Sequence, residues 1–175
     1  MKETEVLELQ SETLDQIYAH AKGEFPDECC GIILSDGTRE FVRECRNIQN
    51  ERHAEDPDTY PRDARTAYLI DPNDLIRVHK EAETQNRPIK AFYHSHPNHD
   101  AYFSDKDKTD ATAWDEPVYP DAAYVVVSVY GPLEEWAIRK QRDAAYVAVK
   151  STKTFAWNET DMDFEEVPIG ANREA

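Results

Sequence analysis

Apolar residues near the start of the chain recur every three or four positions, as on one face of an amphipathic helix. They are Leu14, Ile17, Tyr18 and Ala21. Ser11 has the side chain of a helix cap and glycine commonly ends a helix, so the pattern predicts a helix from Ser11 to about Gly23. Asp71-Pro72 predicts the start of a second helix, because proline favours the first helical position. Its apolar face consists of Leu75, Val78, His79 and Ala82.

Short apolar runs between turn residues predict the strands. Residues 31–34 and 41–45 form two such runs, joined by the turn Ser35-Asp36-Gly37. A third run covers residues 89–96 and ends at Pro97. Further runs lie at residues 122–130, 133–140 and 144–149. The first of these further runs is continuously apolar, as is typical of a central strand buried on both faces. Helices that alternate with such strands predict an α/β sandwich around a mixed sheet.

Two long polar segments interrupt this pattern. Residues 49–66 contain prolines and charges of both signs, which predicts a long loop. Its residues Tyr60, Arg62 and Arg65 could contact a substrate, or the segment could be a surface loop with no binding role. From Ser151 onward the chain is acidic with scattered aromatic residues, and this tail could pack along the body or engage a partner. Its last residues, from about Gly170, are predicted to be disordered.

Composition indicates a single domain with an acidic surface. The chain has 175 residues, enough for one sizeable core, and no linker or repeat divides it. We predict a domain over residues 1–150 and an acidic C-terminal extension over 151–175. Lys and Arg number 20 against 36 Asp and Glu, and the net charge of −16 argues against binding to nucleic acid or anionic membranes. The acidity could serve solubility alone or attract a basic partner.

The cysteine content and the N-terminal sequence predict a cytoplasmic protein. The chain has 3 cysteines, two of them adjacent, which make no plausible disulfide framework and suit a reducing compartment. No apolar signal core follows the first residues, and no run approaches transmembrane length. Cys29 and Cys30 precede an apolar strand, so we interpret them as small buried hydrophobic residues and not as nucleophiles.

Candidate chemistry begins with the histidine pair of the predicted strand 89–96. Residues two apart point to the same face of a strand, so His94 and His96 project side by side. A predicted helix begins near Ser104, and the carboxylate of Asp107 in its first turn could lie close enough to the two histidines to bind the same ion. Two histidines and one carboxylate match catalytic zinc sites, which keep one coordination position open. The extra potential ligands His99 and Asp100 are not needed to complete such a set.

Each part of this pattern also has a simpler interpretation. A His-x-His pair alone fits an ordinary polar edge of a strand. Ser104 and Asp107 fit a helix capping box without any metal. Glu28 favours the catalytic interpretation, because it lies at a predicted helix-to-strand junction where its side chain can face a cleft and act as a general base. Taken together, these residues predict a hydrolase.

The same residues resemble the signature of the JAMM metallopeptidases, of the MPN+ class. That signature is an upstream glutamate, here Glu28, then His-x-His-Pro, here residues 94–97, followed by a serine and an aspartate. Residues 97–106 supply the ten positions that the signature places between the second histidine and Asp107. The Pro-x-Glu-x-Cys-Gly pattern at residues 26–31 resembles the compact bacterial branch of the family. The resemblance extends from about Leu7 to about Val149 and implies a cytidine-deaminase-like sandwich.

The resemblance also implies roles for individual residues. His94, His96 and Asp107 would bind one zinc ion per chain, Glu28 would be the catalytic acid and base, and Ser104 would help to polarise the tetrahedral intermediate. The implied reaction is hydrolysis of the peptide or isopeptide bond after the C-terminal Gly-Gly of a ubiquitin-like protein.

Two substrates are consistent with that reaction. The enzyme could release cysteine or a short extension from a sulfur-carrier protein, or it could remove a ubiquitin-like modifier from target lysines. The compact chain has no evident module for gripping a large target, which favours the first. A non-catalytic MPN scaffold and a small-molecule hydrolase are the less favoured alternatives, and a homodimer is one option for the oligomeric state.

Overall fold

A computed structural model describes residues 5–132 and 147–172. The helices of these residues are α1 (Ser11–Glu24), α2 (Gln49–Glu55), α3 (Pro72–Thr84) and α4 (Asp105–Asp110). Their strands are β1 (Leu7–Gln10), β2 (Cys30–Ser35), β3 (Glu40–Cys45), β4 (Ile89–Pro97), β5 (Thr112–Ala113), β6 (Glu116–Pro117), β7 (Ala123–Tyr130), β8 (Ala148–Asn158), β9 (Asp163–Val167) and β10 (Ile169–Asn172). None of the helices described is both long and apolar enough to cross a bilayer.

A six-stranded mixed sheet forms the centre of the molecule, in the order β3-β2-β4-β7-β8-β9. Strands β4 and β7 are parallel, whereas the other neighbours in this sheet are antiparallel. Strand β7 is buried along nearly its whole length, as its continuous apolar run predicts. The predicted α/β sandwich with a mixed sheet is therefore confirmed.

The sheet separates two apolar cores, because successive side chains of a strand point to opposite faces. One core lies on the face that also carries the histidine pair, and its central residues are Cys30, Ile32, Leu34, Phe92, Tyr124 and Val126. The other core packs under helix α1 and includes Leu14, Ile17, Ile33, Tyr93, Val125 and Val127. Both cores draw on β2, β4 and β7, so these strands are fixed from both sides.

The N-cap residue of helix α1 lies one position earlier than predicted. Gln10, and not Ser11, occupies the N-cap position, and no side chain caps the helix. Gln10 belongs to β1, and its amide side chain donates to the carbonyl of Thr38 at 2.8 Å. Its backbone N–H donates to Glu40 Oε1 at 2.8 Å, so contacts with the neighbouring hairpin replace a local cap.

Residues 49–66 are partly helical, whereas the sequence predicts a loop throughout. Helix α2 occupies Gln49–Glu55, and Asn47 precedes it with a side chain that accepts from the backbone N–H of Gln49 at 3.0 Å. The sequence of α2 is polar on every side, so no apolar stripe marks it as a helix. Its start is instead fixed by a hydrogen bond that Gln49 donates to the side chain of Asn47, outside the helix.

The C-terminal tail completes the sheet. Strand β8 crosses the boundary expected at residue 150, pairs with β7 on one side and pairs with β9 on the other. Residues 151–172 therefore belong to the same body as the preceding residues and do not form a separate extension. Of the strands predicted at 133–140 and 144–149, residues 133–146 lie outside the described ranges, and Ala148 and Val149 begin β8.

Candidate active site

The histidine pair lies on the central strand β4, between β2 and β7. His94 is opposite Cys30 of β2 and Val126 of β7, so its backbone is held on both sides. His94 and His96 are 1% and 7% exposed. Their Nε2 atoms are 3.1 Å apart, as expected for side chains two positions apart on one face of a strand.

Helix α4 brings Asp107 to the same point. Asp107 Oδ2 lies 3.3 Å from Nε2 of His94 and 3.7 Å from Nε2 of His96. The same oxygen accepts a hydrogen bond from the backbone N–H of Ser104 at 2.9 Å. The capping box of α4 therefore holds the carboxylate in place beside the histidines.

Ser104 combines the two interpretations that its sequence position leaves open. Its Oγ accepts from the backbone N–H of Asp107 at 3.1 Å and so caps the helix. The residue also lines the cavity that contains Glu28 and Asp107. A hydroxyl group that accepts one hydrogen bond still has its own proton to donate, so the cap leaves a donor available in the cavity.

Glu28 lies between α1 and β2, at the predicted helix-to-strand junction. Its backbone is fixed at both polar groups: its N–H donates to the carbonyl of Ala64 at 2.7 Å, and its carbonyl accepts from Asn47 Nδ2 at 2.9 Å. The residue is 3% exposed. One carboxylate oxygen and one ring nitrogen from each of His94 and His96 all lie within 4.8 Å of one another.

These donor atoms fit a small divalent metal ion. A tetrahedral ion with bonds of about 2.0–2.1 Å separates its ligand atoms by roughly 3.3 Å. The separations among His94 Nε2, His96 Nε2 and Asp107 Oδ2 are 3.1, 3.3 and 3.7 Å. The ring nitrogen Nδ1 of His96 lies 2.9 Å from the carbonyl of Asp100, and donation there leaves Nε2 with its lone pair toward the cluster.

Burial and mutual contact shift the pKa of each member of the cluster. Burial raises the pKa of Glu28 to about 8, with His96 opposing this shift. Burial also lowers the pKa of His94. For Asp107 burial acts in the opposite direction, but the neighbouring histidines lower its pKa well below the usual range. A carboxyl group in the environment of Glu28 can therefore both accept and donate a proton near neutral pH.

Burial opposes protonation of His96 as well, yet the pKa of His96 is raised above its usual value. The nearby carboxylates of Asp107 and Glu28 and the hydrogen bond to the carbonyl of Asp100 together outweigh burial. The two imidazoles consequently differ in basicity although they lie side by side.

The cavity at this cluster has a volume of about 270 Å³. Its lining residues are Glu28, Arg62, Arg65, Thr66, Ala67, His96, Pro97, His99, Tyr102, Ser104, Lys106 and Asp107. Of the three residues that the sequence suggested for substrate contact, Arg62 and Arg65 line this cavity and Tyr60 does not. His99 lines it with an exposed side chain, whereas Asp100 contributes a backbone carbonyl to His96.

The adjacent cysteines are buried, as predicted. Cys29 and Cys30 are 1% and 0% exposed. Burial raises the pKa of the Cys29 thiol to about 12 and raises the pKa of Cys30 even more. Because the thiolate is the nucleophilic form, neither residue has the environment of a catalytic cysteine.

Three residues that support the site carry no recognisable sequence signal. Ser95 points to the opposite face from the histidines, and its Oγ accepts from the backbone N–H of Cys29 at 2.8 Å, which joins β4 to the residue after Glu28. Tyr68 stacks on the His94 ring with centroids 4.6 Å apart. Asn47 holds the carbonyl of Glu28.

Comparisons with known proteins agree with this arrangement. Residues 10–142 match the family described as prokaryotic homologs of the JAB domain. The chain is 28% identical over 136 residues to a desampylase of Haloferax volcanii, covering 74% of this chain and 87% of that protein. It is 30% identical over 127 residues to a CysO-cysteine peptidase of Mycobacterium tuberculosis, covering 73% of this chain and 76% of that protein.

A solution structure of a Desulfitobacterium hafniense protein has the same fold, with a TM-score of 0.62 at 19% identity, and covers 97% of this chain and 94% of that chain. The matched residues include Glu28 in the connection before β2, the histidine pair on β4 and Asp107 on α4. The resemblance to JAMM-type proteins is thereby confirmed, and the chain belongs to the family of prokaryotic JAB-domain homologs.

Proposed function

We propose that the protein is a zinc-dependent metallopeptidase that hydrolyses the bond after the C-terminal Gly-Gly of a ubiquitin-like protein. The observation that supports this most directly is the convergence of His94, His96 and Asp107, whose donor atoms lie 3.1–3.7 Å apart beside the buried carboxyl group of Glu28. In this proposal the three converging residues hold one zinc ion. When bound, zinc supplies a Lewis acid and makes water nucleophilic at neutral pH.

Glu28 acts first as a general base and then as a general acid. It removes a proton from the attacking water, whose oxygen forms a new bond to the substrate carbonyl carbon. Glu28 then gives that proton to the substrate nitrogen as the carbon–nitrogen bond breaks. The new carboxyl group gives its remaining proton to the released amine, so the products are a carboxylate on the ubiquitin-like protein and an ammonium group. One water molecule is consumed, and no acyl-enzyme forms.

Ser104 donates a hydrogen bond to the oxyanion that forms on the attacked carbonyl. Its proton is available because its contact with the backbone of Asp107 uses only a lone pair of the hydroxyl oxygen. The rigid first turn of α4 holds this donor before the reaction begins, and preorganised donors contribute strongly to transition-state stabilisation.

The names of the two relatives correspond to the two substrate alternatives. The CysO-cysteine peptidase supports release of cysteine from a sulfur carrier, and the name desampylase denotes removal of a group, as in deconjugation. We favour carrier processing in the cytoplasm.

The test combines zinc content with hydrolysis of a ubiquitin-like carrier protein that ends in Gly-Gly-Cys. We expect about one zinc per chain in the purified protein, loss of activity on chelation and recovery with added zinc. Glu28→Gln should retain zinc while its rate of cysteine release falls about a hundredfold or more. His94→Ala should lose zinc, whereas His79→Ala, a change at an exposed histidine of α3, should keep both zinc and activity.

Either of two results would reject the proposal. One is a purified chain that never retains zinc although His94 and His96 are intact. The other is a Glu28→Gln variant that releases cysteine as fast as the unmodified enzyme. Mass spectrometry of the carrier distinguishes cleavage after Gly-Gly from cleavage elsewhere.

A further inference from the structure

Three cationic side chains are among the residues that line the candidate catalytic cavity. Arg62, Arg65 and Lys106 all face the space that also contains Glu28 and Asp107. The chain has a net charge of −16, so a surface patch of average composition would be acidic and not cationic. Both Arg62 and Lys106 act electrostatically on Glu28 and favour its ionised form.

The two arginines differ from the lysine in what they contact. Lys106 forms an ion pair with Asp110, one turn further along α4. Among residues 5–132 and 147–172, no carboxylate forms an ion pair with Arg62 or Arg65. Both arginines are exposed. The guanidinium groups therefore remain available to an anion that enters the cavity, and their planar shape suits a carboxylate.

The backbone that carries the arginines is fixed against the proposed catalytic residue. The carbonyl of Arg62 accepts from Gln49 Nε2 at 2.8 Å, and the N–H of Ala64 donates to Asn50 Oδ1 at 2.8 Å. The carbonyl of Ala64 accepts directly from the N–H of Glu28 at 2.7 Å. Residues 62–65 are therefore held at a defined distance from Glu28.

Residues 62–65 lie on the side of the cavity where the leaving group of the proposed reaction would be bound. Glu28 delivers its proton to the nitrogen that departs, so the leaving group must lie next to Glu28 and to the segment bonded to it. In a terminal amino acid, the α-carboxylate is attached to the carbon that carries this nitrogen. In an isopeptide, the whole side chain of lysine separates the nitrogen from the backbone, and no carboxylate lies nearby.

We propose that Arg62 and Arg65 form a subsite for the α-carboxylate of the amino acid released by cleavage. The proposal rests on the proposed function and deepens it, because it names the substrate class: a ubiquitin-like protein whose Gly-Gly is followed by one residue with a free carboxylate. The subsite favours such α-peptides over lysine isopeptides.

The test measures binding to the zinc-loaded Glu28→Gln protein, in which turnover is suppressed. The probes are two peptides that end in Gly-Gly-Ala, one with a free carboxylate and one with a C-terminal amide. Alanine replaces cysteine so that no thiol can bind the metal. We expect the free acid to bind about tenfold more tightly than the amide, with a ratio that decreases as salt is added.

Adding Arg62→Gln and Arg65→Gln should reduce this affinity ratio to about one. The matched control is Arg52→Gln, since Arg52 belongs to α2, pairs with Glu55 at 3.1 Å and does not line the cavity. The control should leave the ratio unchanged. Circular dichroism of each variant verifies the fold, and all three positions lie outside the buried core.

Two results would overturn the proposal: equal or undetectable binding of the acid and the amide, or an affinity ratio that persists in the double variant, even if both peptides bind more weakly. The last result would assign the carboxylate to another group. Failure of the proposed function is a separate result, because it would appear as zinc-independent or absent cleavage by the unmodified enzyme and does not depend on the acid-to-amide ratio.

Discussion

Gly31, three residues after Glu28, packs against the ring of Tyr93 on the neighbouring strand. A β-carbon at Gly31 would lie 2.3 Å from the Tyr93 ring and hydroxyl. Tyr93 is 1% exposed, and its hydroxyl lies 2.7 Å from Nδ1 of His20, so the ring has no free space to move into. The absence of a side chain at Gly31 therefore allows β2 and β4 to bring Glu28 and His94 together.

Gly31→Ala should lower the free energy of unfolding by about 1–3 kcal/mol, because the added methyl overpacks a filled core. Gly23→Ala is the matched control. Gly23 lies in the last turn of α1 with no atom within 4 Å of a new β-carbon, so this change should stabilise the protein by about 0.5 kcal/mol or more. Urea denaturation of both variants measures the two effects, and effects of the same sign would contradict this account.

Single residues also show how far the sequence predicts the site. Strand alternation places His94 beside His96, and helix capping places Ser104 beside Asp107, so local rules predict these two pairs. The approach of Glu28 to them is implied by the resemblance to the JAMM signature. The supporting residues do not follow such rules. Ser95 and Asn47 act on Glu28 and its neighbour only through contacts distant in the sequence, so their roles become visible once the strands are paired.

Strand β3 and helix α3 are joined by a charged contact that should respond to pH. Arg43 donates to both carboxylate oxygens of Glu81, at 2.8 and 2.6 Å, and Arg87 donates to one of them at 3.1 Å. The hydrogen bonds from Arg43 lower the pKa of Glu81. Its folded pKa therefore lies below its unfolded pKa, so the stabilisation is complete above the unfolded value and is lost as the pH falls through the folded value.

Glu81→Gln should reduce the free energy of unfolding by about 1 kcal/mol at neutral pH, because a partly exposed pair contributes modestly. The difference from the unmodified protein should narrow below about pH 4. Glu83→Gln, a substitution at an exposed position of the same helix, is the matched control and should change the free energy of unfolding by less than about 0.5 kcal/mol at neutral pH. Thermal denaturation at several pH values checks this, and parallel curves for Glu81→Gln and the unmodified protein would disprove the assignment.

Elements with an apolar pattern are predictable from the sequence, and elements without one are not. Helix α3 follows the Asp71-Pro72 signal, and Asp71 indeed accepts from the N–H of Asn73 at 2.8 Å. Helix α2 has no buried stripe and depends on two contacts across its boundary. Asn47, before the helix, accepts from the backbone N–H of Gln49, and Asn50, inside it, accepts from the backbone N–H of Ala64. Tertiary contacts therefore decide its conformation, and a local reading of the sequence predicts a loop.

At the scale of the whole molecule, residues after 150 help to enclose the core beside α4. Phe155 of β8 and Phe164 of β9 contact Phe103, with ring centroids 5.4 and 4.9 Å apart. Both are among the buried residues of the core on the histidine face. The sequence presents this region as an acidic tail because its buried aromatic residues are widely spaced among exposed carboxylates.

A chain ending at residue 150 should fail to fold cooperatively. It would lose most of β8 and the whole of β9 and β10, and removing a single buried phenylalanine already costs about 3–5 kcal/mol. A domain has only about 5–15 kcal/mol of stability in total. A chain ending at Asn172 retains every described strand and is the control. Circular dichroism and thermal melting compare the two, and a sharp transition in the shorter chain would refute the prediction.

The parallel pairing of β1 with β10 imposes an order on biosynthesis. Leu7–Gln10 leaves the ribosome early, but its partner Ile169–Asn172 leaves only after the rest of the described chain. Closing so long a loop is entropically costly and belongs to the slow, non-local steps of folding. Strand β1 therefore reaches its native pairing only after the described residues that follow it have been synthesised.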